Sequence, residues 1–368
     1  MDLFTQYKFL SGLRRGPLGE LAFLTAQADV EENSYRKDLW LKPLDGPAFP
    51  LTTDGKTGGF LWDGPHTLLF QSTRDPEQKK RAEAGEEHTA FYRLDLRGGE
   101  AQKAFEVPLS ASLLEKADEG VYLLAVDWDL RFSKAHQLKG GAKEALLKEK
   151  KEEKDYQVLD ELPFYFNGAG YVNKHRTALF LFEEESGKLT RLTKESFDVA
   201  SAHLSPDGTQ LLFTGESYTT KRKLRSGVYR YDFATGETAQ LLAPRTYSLY
   251  DALWWGEKVL LLATDHKRYG MNENVQFYTL EPATGKSPCW PPYEEAVGSS
   301  VGSDCRLGGG REWVAQDGKL YFVATIRDAS QVFCLEANGD IRPVYTQEGS
   351  VDCIDVAGGT LYFIGMQD

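Results

Sequence analysis

The sequence predicts an all-β fold: a seven-bladed β-propeller of four-stranded antiparallel blades, with an incomplete seventh blade and a short helical insertion in the third. Three observations carry this. An apolar run opened by a turn residue recurs seven times, at 19–27, 66–74, 120–128, 208–216, 257–265, 318–326 and 359–367. An alternating run closed by a glycine turn follows the first six of these, at 35–46, 90–99, 178–187, 228–236, 275–285 and 332–339. The repeat length is roughly 50 residues, the length of a propeller blade, and a lone four-strand meander cannot bury both of its faces unless neighbours stack on it.

The clearest repeat is 196–242. A strand over 199–204 runs into Ser205-Pro206-Asp207-Gly208, where proline presets φ, aspartate bonds its own backbone and glycine accepts positive φ. A strand over 210–214, a polar loop, the alternating run 227–233, the turn Ala234-Thr235-Gly236-Glu237 and a strand over 238–242 complete the unit. Extending the repeat places one propeller domain over 1–368, with blades near 7–55, 56–108, 109–194, 195–245, 246–291, 292–347 and a partial seventh at 348–368. The third repeat is the longest, through an insertion at 129–176. Within it, 142–155 (AKEALLKEKKEEKD) holds strong helix formers, mixed charge and no turn residue, which predicts a solvated helix or a protruding arm.

The chain is 41% hydrophobic and 12% aromatic, enough for a large core, and its net charge of −12 repels phosphate backbones and anionic membranes. Neither nucleic acid nor membrane is expected as a partner. The N-terminal stretch lacks a basic segment leading into an apolar one, and no run approaches a membrane span, so a cytoplasmic location is expected. Cys289, Cys305, Cys334 and Cys353 have no zinc-ligand spacing and read as buried free thiols. The six histidines show no metal-ligand spacing either, so neither metal nor cofactor is expected. Gly298-Ser299-Ser300-Val301-Gly302 matches a nucleophile elbow. The following 303–310 (SDCRLGGG) is no helix start, and the last histidine, His266, lies upstream, so no catalytic residue is assigned.

Several motifs in order carry a family likeness: 162–171 (LPFYFNGAGY), then Arg176, Leu179 and Phe180, then Leu192, Thr193, Asp198 and Val199, then 205–208 (SPDG), with Asn33, Tyr35, Asp38, Leu39 and Trp40 in the first repeat. The ensemble resembles the N-terminal propeller of acylaminoacyl-peptidase-like members of the prolyl oligopeptidase (S9) family. Asn167 departs from that pattern, which has aspartate there, and only the fourth repeat keeps a full SPDG. The resemblance implies a non-catalytic domain that gates short peptides to a C-terminal α/β-hydrolase domain with a Ser-Asp-His triad, which this chain lacks. The alternative is a stand-alone interaction propeller, TolB-like or scaffold-like.

Loops joining second to third strands are long, at 28–34, 75–88, 219–225 and 266–274, whereas the turns on the opposite face are tight. Function concentrates on long loops, so Glu31, Glu32, Arg222, Arg225 and Arg268 are the candidates for facing a hydrolase domain or a peptide terminus. The strand at 359–366 is left with an open edge, a template for strand exchange or a dimer contact in a homo-oligomer, the alternative being that 1–7 crosses over to fill the gap.

Overall fold

The computed structural model describes residues 4–156, 158–302 and 309–367. The chain divides into two compact units, one formed by Met1–His66 with Leu253–Asp368, the other by Thr67–Ala252.

In the first unit, Phe9–Arg15, Leu21–Asp29, Ser34–Lys42 and Phe49–Pro50 form an antiparallel meander. Asp38 fastens its outer corner: its carboxylate accepts the Gly55 N–H at 2.9 Å and the Thr52 hydroxyl at 3.2 Å, and Thr52 Oγ1 accepts the Leu39 N–H at 2.9 Å. Further on, Lys258–Thr264 pairs with Gln276–Leu280, and the ladder ends there. Pro288, Pro291 and Pro292 in the next stretch have no N–H to donate, and the backbone is held at single points such as Trp290 N–H to Phe277 O, 3.0 Å. Lys319–Ile326 is the centre of a five-stranded sheet with Ala296–Val297, Trp313–Gln316, Ala329–Leu335 and Ile341–Tyr345. Leu260, Leu262, Phe277, Leu320 and Phe322 fill the core between these sheets.

The last strands, Ser350–Ala357 and Thr360–Met366, form a hairpin. Point contacts join the first strand, the segment 309–311 and this hairpin to one another. The Arg15 N–H donates to Asp355 Oδ2 at 2.8 Å, Arg311 pairs with Asp355 Oδ1 at 2.6 Å, and the Gly12 N–H donates to Gly309 O at 2.8 Å. Gly309 and Gly310 are required here, because an added Cβ would fall 2.0 Å from Asp352 O and 2.7 Å from Cys353 Sγ.

In the second unit, Thr67–Ser72, Thr89–Asp95 and Gln102–Val107 run antiparallel. Two complete meanders follow: Ala111–Asp118, Val121–Asp129, His175–Glu183 and Lys188–Arg191, then Phe197–Leu204, Gln210–Ser217, Gly227–Asp232 and Thr238–Leu242. They share a core of Leu123, Leu179, Leu192, Phe197, Val199, Leu211 and Phe213. The SPDG turn closes as its residues dictate. Gly208, at φ +71°, donates its N–H to Ser205 O, while Asp207 Oδ1 accepts the hydroxyls of Ser205 and Thr209.

Two helices interrupt the strands. The first, α1, is Pro76–Glu83, with Asp75 as N-cap accepting the Glu77 N–H at 3.0 Å and proline in the first turn. The second, α2, is Gly140–Glu152, and none of its residues is buried.

Among the described residues six sheets have three or more strands, so the sequence count of seven blades is corrected to six. The seventh repeat contributes only the terminal hairpin, because the sequence holds its first two strand runs and no third.

Candidate functional site

The most elaborate polar cluster lies in the second unit, where the return of the insertion meets the loop after Gln210–Ser217. Arg176 is at its centre, 1% exposed. Its guanidinium forms a bidentate pair with Glu161 at 2.8 and 3.1 Å, donates to the carbonyls of His175 and Tyr218 at 2.8 and 3.0 Å, and stacks 3.6 Å from the Tyr218 ring centroid. A planar fork of donors suits this arrangement and an ammonium would not. Burial works against the charge on Glu161, but Arg176, the Lys174 N–H and the Lys174 ammonium together hold its carboxyl below the usual range. Asn173 completes the frame: its carbonyl accepts the N–H groups of Asp160 and Glu161, and its amide donates to Val158 O at 2.8 Å.

Next to this pair, Asp198 and Glu216 are cross-strand partners, and both are buried. Burial raises both carboxyl pKa values. It is opposed at Asp198 by the Thr177 N–H at 2.9 Å and by Arg222 Nη1 at 3.5 Å. Glu216 Oε2 has no hydrogen-bond partner among the described residues. The Arg222 backbone is fixed by the insertion: the Leu162 N–H donates to Thr220 O at 2.9 Å, and the Arg222 N–H donates to Leu162 O at 2.8 Å.

The sequence-derived candidates fall in separate places. Arg222 and Arg225 belong to the second unit, where Arg222 neutralises Asp198 and Arg225 donates to Arg245 O at 2.8 Å. Glu31 and Glu32 are exposed together on a turn of the first unit, the Glu32 N–H donating to Asp29. Arg268, also in the first unit, pairs with Glu294 at 2.5 Å on the wall of a cavity of about 320 Å³ that Tyr269, Tyr278, Cys289 and Tyr293 also line. Of Cys289, Cys334 and Cys353, only Cys289 is exposed, and all three are free thiols. Cys305 lies outside the described residues, as do 303–308 of the run after the elbow-like motif.

Two groups went unread in the sequence. Glu161 has no local motif that marks it. His203 and Asp251 form an imidazole–carboxylate pair at 2.8 Å, joining positions 48 apart that only the fold brings together. The Ser300 backbone N–H donates to Thr325 Oγ1 at 2.7 Å, which ties the elbow-like segment into the five-stranded sheet. Among the described residues no cluster of three or more His, Cys, Asp or Glu side chains could hold a metal ion, and no helix is long and apolar enough to cross a membrane.

No family model matches the chain. An uncharacterized peptidase, YuxL, of Bacillus subtilis (strain 168) is 24% identical over 199 residues, covering 52% of this chain and 27% of its own. The acylaminoacyl peptidase of Pyrococcus horikoshii superposes with a TM-score of 0.67 at 15% identity, over 99% of this chain and 49% of that one. The β-propeller domain of the Trilobed protease from Pyrococcus furiosus, described as having an open velcro topology, superposes with a TM-score of 0.59 at 14% identity, over 98% of this chain and 90% of that one. This chain therefore spans about half the length of the peptidase structure and about a quarter of the curated relative. Its fold is an all-β propeller with antiparallel four-stranded blades, and its structural neighbours include the acylaminoacyl peptidases that its motifs resemble.

Proposed function

We propose that this chain is the non-catalytic propeller of an acylaminoacyl-peptidase-like serine peptidase of the prolyl oligopeptidase family, acting in the cytoplasm. It gates short peptides to an α/β-hydrolase domain carried by the same protein outside this sequence. One observation carries the reading: nearly all of this chain matches about half of a peptidase chain, and the curated relative is also a peptidase.

The family-like motif residues support it by what they do here. Asp38, Arg176, Thr193 and Asp198 each fasten a backbone N–H, a carbonyl or a buried charge. They are therefore framework positions, suited to a domain whose role is shape. Buried free Cys334 and Cys353 suit a reducing compartment. Glu31, Glu32, Arg222, Arg225 and Arg268 are our candidates for facing the hydrolase domain or the peptide ends. The open edge of Thr360–Met366 is the candidate for self-association.

A fluorophosphonate probe tests this. The full-length gene product is expected to label at one serine and this chain at none. Labelling of Ser300 in this chain, or a gene with no hydrolase coding region beside this one, would overturn the reading and leave the stand-alone interaction propeller.

A further inference from the structure

The insertion returns through a two-stranded ladder, Tyr165–Phe166 with Gly170–Tyr171, whose large side chains are left about half exposed. Tyr165 and Tyr171 are 52% and 53% exposed and touch edge to face at 5.6 Å; Phe166 and Leu162 are about as open. Beside them, the loop 221–225 is locked to Leu162 by the two backbone hydrogen bonds at Thr220 and Arg222. It carries exposed Lys221 and Lys223 and a Leu224 that is 65% exposed. Neither lysine has an ion-pair partner among the described residues, whereas Arg222 is committed to Asp198.

The arrangement is unusual on two counts. A rigid polar frame, with a fully buried Arg176–Glu161 pair, holds a segment whose large apolar side chains are left about half exposed; exposed apolar side chains grouped in this way mark interaction sites. The patch is also basic on a chain of net charge −12, so electrostatics steers an acidic partner toward it and away from the rest of the surface.

We propose that the 164–171 hairpin and the 221–225 loop form one preorganised docking surface for an acidic peptide segment bearing aromatic or aliphatic side chains. The rings of Tyr165 and Tyr171 take the apolar side chains, and Lys221 and Lys223 take the carboxylates. This surface includes the Arg222 and Arg225 loop proposed above to face the hydrolase domain or the peptide ends and to that extent rests on that reading, but binding is measured on this chain directly, so its outcome is distinguishable from that of the fluorophosphonate test.

The test is calorimetric titration with two N-acetylated, C-amidated pentapeptides: one alternates glutamate with phenylalanine and leucine, and the other has lysine in place of glutamate. The acidic peptide is expected to bind, and the basic one at least tenfold more weakly. The variants Lys221→Glu/Lys223→Glu and Tyr165→Ser/Tyr171→Ser, all at exposed positions, should each weaken the acidic peptide at least tenfold with an unchanged circular dichroism spectrum. Equal binding of both peptides, no binding at millimolar concentration, or indifference to both variants would overturn the proposal. So would sedimentation showing a dimer that Tyr165→Ser/Tyr171→Ser dissolves, which would make a second copy the occupant.

Discussion

Two parts of one insertion are held to the second unit by opposite means. Helix α2 has no buried residue and is tethered through Lys143 to Glu86 and Lys150 to Glu87, each at 2.6 Å, with the Lys150 ammonium also 4.9 Å from the Phe132 ring centroid. The segment after it, 158–174, is anchored by a bidentate pair whose two side chains are 0% and 1% exposed. Water and salt compete for the first set of contacts and cannot reach the second. The same chain thus carries a loosely held arm and a rigid platform within 35 residues, 140–174.

The platform is the place to break the contrast hardest. Removing one partner of a buried pair leaves the other charge uncompensated, so Arg176→Leu or Glu161→Gln should each cost about 3–5 kcal/mol of stability in urea unfolding. If Arg176→Leu costs under ~1 kcal/mol, the pair is not the anchor. Asn173→Ala removes the acceptor for two N–H groups and the donor to Val158 O. A cost of about 1–3 kcal/mol is expected, with faster amide exchange at Asp160 and Glu161 as the specific signature.

The arm should respond far less. Lys143→Ala/Lys150→Ala is expected to cost about 1 kcal/mol or less at low ionic strength, and nothing measurable in 1 M salt, whereas the Arg176→Leu cost should survive the salt. The smallest effect concerns His175, whose pKa is raised by its hydrogen bond to Asp127 at 2.9 Å and, further off, by Asp129. A cation gained on folding stabilises below the unfolded pKa of about 6.5. The advantage of wild type over His175→Gln should therefore be full at pH 5 and fade as pH rises through the raised folded pKa. An advantage that grows with pH would contradict this assignment.

Strands were legible because their signals are local. An apolar run behind a glycine turn marks 210–217 and period-two alternation marks 227–232, without knowledge of any partner. Helix α1 also had a local signal, Asp75-Pro76 ahead of a run of helix formers, which a reading of 75–88 as a long loop passes over. The site was less legible because its chemistry is relational. Arg222 was singled out for its charge, but that charge is largely answered by Asp198, 24 positions upstream. The family-like motif marked Arg176, and nothing marked Glu161, whose role depends on the insertion folding back over 15 positions. The blade count failed for a similar reason: seven runs predict seven units, but a sheet also needs strands for those runs to pair with, and the last repeat has only two.

The seam at Asp355 has a mechanical meaning. Each meander resists separation through a ladder of backbone bonds spread along whole strands, while Phe9–Arg15 reaches the terminal hairpin through the Arg15 N–H to Asp355 and the neighbouring segment through the Gly12 N–H to Gly309 O, single bonds and not a ladder. A force drawn across this seam would meet single hydrogen bonds and not a ladder, so Phe9–Arg15 and the hairpin should part before any meander unzips.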